Sequence, residues 1–155
     1  MNLVLAEAAK NSSNVMEDYR NRDSIHVAVG VIFNSDNQIL VALRSEDVDQ
    51  GGLWEFRGGK VEPDEDSLQA LCRELKEEVG IEVIKAEPFL QSLHDYKNYH
   101  VTLHTYVVSK FSGKPKGLLG QPLQWIDISE LSRLKFPDAN RIIIDELSSS
   151  YTTTV

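Results

Sequence analysis

The sequence predicts a mixed α/β sandwich. Two observations carry that expectation. β-branched apolar runs and turn residues alternate on both sides of one amphipathic stretch at 67–79, and a second helical pattern closes the chain at 138–148. The chain has 155 residues, enough for one domain with a sizeable core. We divide it into a polar extension at 1–24, a globular unit at 25–147 and a Ser/Thr-rich tail at 148–155. No internal repeat is visible.

The elements follow in order. "IHVAVGVIF" (25–33) is an apolar, β-branched run suited to a buried strand. "NSDNQ" (34–38) is turn chemistry, and "ILVALR" (39–44) returns as the second strand of a hairpin. "SEDVDQGG" (45–52) reads as a loop and "LWEF" (53–56) as a short strand ending at "RGGK". A helix is expected at 67–79. Asp66 is its N-cap, Gln69 completes a capping box and Gly80 stands at the C-terminal stop. Strands are expected near 87–95 and 99–109, joined at Lys97-Asn98, and another at "LQWIDI" (123–128) after the loop 113–122. A short helical turn and the helix 138–148 complete the unit.

At 100° per residue, Leu68, Leu71, Cys72, Leu75 and Val79 share one stripe of the 67–79 helix, its expected core face. Cys72 is then a small buried hydrophobe. Glu74, Glu77 and Glu78 lie on the neighbouring arc at i, i+3 and i, i+4 spacing, so their carboxylates can converge. Taken alone, such an arc is a solvated face. If a divalent ion sits there, hard oxygen donors suit Mg²⁺ or Mn²⁺.

The charge balance excludes other classes. A net charge of −8 argues against binding a nucleic-acid polymer or an anionic membrane. No apolar run approaches a membrane span, and the first twenty residues lack the basic start of a secretory signal. A single cysteine fits a reducing cytoplasm. The expected partner is a small nucleotide, with the chain a monomer or weak dimer.

The wider spacing decides the meaning of the acidic arc. Gly59, five residues, Glu65, seven residues, then Arg73-Glu74-Leu75, one residue, Glu77-Glu78, one residue and Gly80-Ile81 resembles the complete signature of the Nudix hydrolases. Seven fixed positions match by chance roughly once in 10⁸ windows at ordinary residue usage. "VAVGVI" (27–32), "LWEFRGGKVE" (53–62), "HVTL" (100–103), "GQPLQW" (120–125) and "FPDAN" (136–140) extend the likeness to the MutT type, over about 26–146. The resemblance implies a Nudix-type α/β/α sandwich with a mixed sheet. It implies Mg²⁺-dependent hydrolysis of 8-oxo-dGTP to the monophosphate and pyrophosphate.

By the same resemblance Glu74, Glu77, Glu78 and the Gly58 carbonyl hold metal. Glu74 is also the base, Arg73 orients it, and Glu65 is the signature's first acid. Arg44 contacts phosphate, Glu55, Phe56, Arg57 and Gly58 line the nucleotide site, and Asn140 reads the base. An Asn amide offers one donor and one acceptor, matching the O6 acceptor and the N7–H donor of an oxidised guanine edge. The alternative for Asn140 is an early helix position near a cap at Asp138.

Two positions depart from the MutT pattern: Arg57 stands where Pro is usual, and Leu119 where an acid is usual. Arg57 is expected to add charge beside the phosphates. His100 and His104, about 13 Å apart along a strand, cannot share a metal; His26 and His94 show no partner pattern. Trp54, Phe56 and Trp125 read as core packing, and Phe136 and Tyr96 as packing or as base-pocket walls. Two rival readings stay open: a pyrophosphohydrolase of CTP or a modified pyrimidine nucleotide, and a non-catalytic regulatory module that binds a ligand. The intact Arg73-Glu74 and Glu77-Glu78 speak against the latter.

Overall fold

The computed structural model describes residues 24–45 and 51–151. The expected extension, part of the 45–52 loop and the last four residues lie outside them. The order is β1 (Ile25–Ile32), β2 (Gln38–Leu43), β3 (Trp54–Glu55), β4 (Arg57–Lys60), α1 (Ser67–Val79), β5 (Glu82–Asp95), β6 (His100–Ser112), β7 (Leu123–Asp127), two 3₁₀ turns (Ile128–Arg133 and Asp138–Asn140) and α2 (Arg141–Tyr151).

One sheet has the order β4-β1-β6-β5 and the other β3-β2-β7. β1 runs parallel to β6 and antiparallel to β4, so the first sheet is mixed, as expected. The long apolar run of β1 now has a cause: both of its faces are covered. Val27, Val29 and Val31 join a core with Ile143, Ile144 and Leu147 of α2, while Ala28 and Ile32 join one with Leu71, Leu75 and Val79 of α1. The sheet is therefore the middle layer between two helices, and burial of its apolar side chains from both sides is the main stabilising term.

Asp66 accepts from the Gln69 backbone N–H at 2.8 Å, and the Gln69 side chain accepts from the Asp66 N–H at 2.8 Å. Gly80 ends the helix in the left-handed region at φ 76°, where a residue without a Cβ is unstrained. In the hairpin turn the Asn34 side chain accepts from the backbone N–H groups of Asp36 and Gln38, both at 2.9 Å.

Several expectations need correction. The core stripe of α1 is rotated: Leu68 is exposed and Cys72 half-buried, while Ala70 and Glu78 are buried. Burial still pushes the Cys72 thiol pKa up, so it stays protonated. "RGGK" is itself a strand, pairing Val27 with Lys60 through to Gly30 with Arg57. β5 starts at Glu82 rather than near residue 87, and its register shifts at Val83/Lys85, Lys85/Ala86 and Pro88/Leu90. The closing helix starts at Arg141 behind a 3₁₀ turn and runs through Ser148–Tyr151, which the expected tail included. Among the described residues no helix is long and apolar enough to cross a membrane.

Candidate active site

α1 and β4 bring the acidic residues together. Arg73 is the hub of the outer half. Its Nη2 donates to Glu65 Oε1 at 2.6 Å and its Nε to Glu65 Oε2 at 3.1 Å, a two-point grip. Nη1 donates to Glu74 Oε1 at 2.7 Å, and Nη2 also reaches the Lys60 carbonyl at 3.1 Å. Glu65 accepts a further bond from the Glu62 N–H at 2.9 Å. The signature's first acid thus anchors the guanidinium that holds Glu74. The hydrogen bond from Arg73 holds the Glu65 carboxyl below the usual range.

Glu74 has a different environment. Burial comes first, and the facing Glu78 carboxyl second, in raising its pKa from 4.5 to about 7; Arg73 opposes both. Two carboxyls turned toward each other in a half-buried place are strained when both are ionised. A hard divalent cation relieves that strain, so the donor set fits such an ion. Gly59 makes room for the arrangement, because a Cβ there would overlap the Glu74 carboxyl. Glu77 does not join the pair. Its side chain is 60 % exposed, with Arg73 Nη1 3.8 Å away. Among the described residues no three carboxylate, His or Cys side chains already converge as a metal cluster.

The inner half centres on Arg57. Arg57 is buried and spans two buried acids. Its Nη1 donates to Glu55 Oε2 at 2.6 Å, and its Nη2 and Nε reach Glu78 Oε1 at 2.6 and 3.1 Å. Its charge is matched by Glu55 and Glu78. Arg44, also buried, has Nη1 3.8 Å from Glu55 Oε1. Gly58 lies in β4 opposite Val29, and Phe56 is fully buried, with its ring 5.2 Å from that of Phe136. The loop carrying Leu119 closes on the end of α1, where the Gln121 side chain donates to the Glu78 carbonyl at 3.0 Å; the Leu119 side chain is exposed.

Asn140 ends the second 3₁₀ turn and is wholly buried. Its N–H donates to the Pro137 carbonyl at 2.9 Å. Phe136 and Ala139 belong to the apolar core here, and Tyr96 and Tyr99 pack against it with their rings stacked 4.7 Å apart. Burial first, then the charges of Tyr99 and Asp138, push the Tyr96 hydroxyl up to about 12.

The histidines find partners that spacing did not reveal. His26 and His104, on β1 and β6, bring Nδ1 and Nε2 to 2.8 Å, and His100 pairs with Asp95 at 2.5 Å. The first pair is 78 residues apart in sequence, and only the parallel register makes it.

Comparison with known proteins agrees with this geometry. A family model described as a NUDIX domain matches residues 28–146. An 8-oxo-dGTP diphosphatase of Escherichia coli K12 is 37% identical over 123 residues, 79% of this chain and 95% of that protein. A CTP pyrophosphohydrolase of the same organism is 41% identical over 109 residues, covering 70% and 79%. A solved MutT structure, from a comparison of the Aliivibrio salmonicida and Vibrio cholerae proteins, superimposes with a TM-score of 0.74 at 36% identity, over 83% of this chain and all of that one. With a signature helix whose Arg73 grips Glu65 and Glu74, and a family match that runs nearly the length of the described fold, the chain belongs to the Nudix hydrolase family.

Proposed function

We propose that this protein is a Mg²⁺-dependent nucleoside triphosphate pyrophosphohydrolase that converts 8-oxo-dGTP to its monophosphate and pyrophosphate, keeping the oxidised nucleotide out of newly made DNA. The observation that carries the reading is the state of Glu74. It is half-buried, faces Glu78 and is held at Oε1 by Arg73 Nη1 at 2.7 Å, so its carboxylate stands oriented on the signature helix to act as a base. The identity to an 8-oxo-dGTP diphosphatase over 95% of that protein supports the substrate.

Glu74 and Glu78 would hold the divalent ion, with Glu77 turning in and the Gly58 carbonyl nearby. Bound there, Mg²⁺ supplies charge neutralisation for the polyphosphate. The rest is done by the chain. Glu74 takes a proton from the attacking water, the water oxygen bonds to the β-phosphorus, and the bond to the α-phosphate's bridging oxygen breaks. The nucleoside monophosphate leaves, and the new oxygen stays in pyrophosphate. Arg73, fixed by Glu65, keeps the Glu74 carboxylate aimed. Asn140 reads the oxidised base. A reducing cytoplasm is the setting that the single cysteine suits.

The 41% identity to a CTP pyrophosphohydrolase favours a second reading, in which a pyrimidine triphosphate is the substrate. Pyrophosphate release with Mg²⁺ from 8-oxo-dGTP, dGTP, CTP and dCTP separates the two. The first reading requires kcat/KM to be highest on 8-oxo-dGTP, and equal rates on 8-oxo-dGTP and dGTP would sink it.

A further inference from the structure

Glu78 is the acid on the signature helix to which the fold has already given a buried cation. Arg57 Nη2 and Nε converge on one oxygen, Glu78 Oε1, at 2.6 and 3.1 Å, while Nη1 sits 2.6 Å from Glu55 Oε2. All three residues are buried: Arg57 is 7%, Glu55 2% and Glu78 8% exposed. Glu78 also faces Glu74. Arg57 is held from behind by strand pairing, since its Cα lies opposite Gly30 of β1. A guanidinium so placed cannot swing into solvent without leaving the buried Glu78 carboxylate without its cation.

We propose that Arg57 is a resident cation of the metal site. It stands in for part of the divalent charge by holding Glu78 Oε1, so a metal ion shares Glu78 with it and binds more loosely than the acid cluster alone would allow. This rests on the metal-dependent reading above. Arg57 is a positioning residue, because it acts on the metal through Glu78. The physical reason is local charge. A fixed positive group bonded to a ligand oxygen repels an incoming divalent ion and uses lone pairs the ion needs, at short range and out of water, where screening is weak.

The test is Mn²⁺ binding to the metal-free, full-length protein, read from the electron paramagnetic resonance signal of the free ion, with no nucleotide present. Arg57→Gln should bind Mn²⁺ about tenfold more tightly than the wild type, the factor that about 1.4 kcal/mol supplies, or should take up an additional ion. Arg57→Lys keeps the cation and should stay close to the wild type. The metal-free Arg57→Gln protein should melt at a lower temperature, and Mn²⁺ should raise its Tm by more than it raises the wild type's. Where that variant is recovered only with metal present, the comparison is the Mn²⁺-dependent Tm shift. Unchanged or weaker binding by Arg57→Gln, an equal or smaller Tm response, or Arg57→Lys behaving like Arg57→Gln, would each overturn the proposal. If the wild type binds Mn²⁺, Glu74→Gln loses it and Arg57→Gln matches the wild type, the metal reading stands and the role of Arg57 falls. If none of these proteins binds Mn²⁺, both fall.

Discussion

Glu65, just ahead of α1, and Glu74 and Glu78 on it are each gripped by a guanidinium at 2.6–2.7 Å, and the two arginines come from different elements, β4 and α1 itself. At the 136–140 turn, Asn140 is wholly buried, and its chain neighbours Phe136 and Ala139 belong to the apolar core. The first region is charged and prearranged, with acids and cations alternating before any substrate arrives. The second is closed and packed. Reaction chemistry benefits from groups fixed in advance, since they need not reorganise in the transition state. Selection of a base tolerates an opening step, since only the matching ligand repays it. Breaking the first region should cost rate on every nucleotide, and breaking the second should cost choice between nucleotides.

The largest effect belongs to Glu74. Glu74→Gln keeps the shape and removes the base, so kcat should fall by roughly 10²–10⁴-fold on every substrate, measured as pyrophosphate release at saturating Mg²⁺. A fall confined to one nucleotide would place Glu74 in recognition instead. Next come the two glycines of β4. Gly59→Ala should displace the Glu74 carboxyl, lowering kcat with little loss of Tm. Gly58→Ala puts a Cβ into the Ala28 carbonyl of the neighbouring strand, so it should lower Tm first. Equal Tm losses in the two variants would show that Gly59 too is needed for the sheet.

A smaller effect is expected at Asn140. Loss of its paired base contact should reduce the preference for 8-oxo-dGTP over dGTP by the equivalent of about 1–3 kcal/mol in kcat/KM, while the better of the two residual rates stays metal-dependent. An unchanged preference in Asn140→Ala would leave Asn140 as the buried packing group that the closed structure displays.

The same contrast explains what was readable in the sequence. The cap at Asp66, the stop at Gly80 and the Arg73–Glu74 pair follow from local spacing, and α1 matches its expected bounds. β4 was hidden because two glycines between charged residues look like a loop; only pairing with β1 makes "RGGK" a strand. The phase of the α1 core face was off because helical periodicity counts Glu78 as polar. Arg57, distant in sequence, satisfies its charge and lets it go inside. Leu68 is correspondingly turned out. The partners of Arg57 were hidden for the same reason: they lie two and twenty-one residues away on two different elements. Likewise the His26–His104 pair depends on a parallel register that no local pattern encodes.

The smallest predicted effect tests whether Glu74 is poised in the absence of metal. Its folded pKa, about 7, lies above its ordinary value of 4.5. Between those values the folded protein keeps a proton that the unfolded chain has released. By linkage, this group's contribution to stability is greatest below the unfolded value and declines as pH rises through about 7. Glu65 works the other way. Its folded pKa is lowered, so its contribution is present above its ordinary value and lost on acidification below it. From about pH 5 to about pH 8 the Glu65 term is therefore nearly constant and the Glu74 term falls. Denaturant melts of the metal-free protein across that window should show the wild type losing stability relative to Glu74→Gln as pH rises. Saturating Mg²⁺ should remove the trend, because the ion favours the ionised carboxylate. A wild-type protein that gains stability relative to Glu74→Gln over the same window would mean that Arg73 outweighs burial and Glu78, and that Glu74 is already an ordinary ionised carboxylate before the metal arrives.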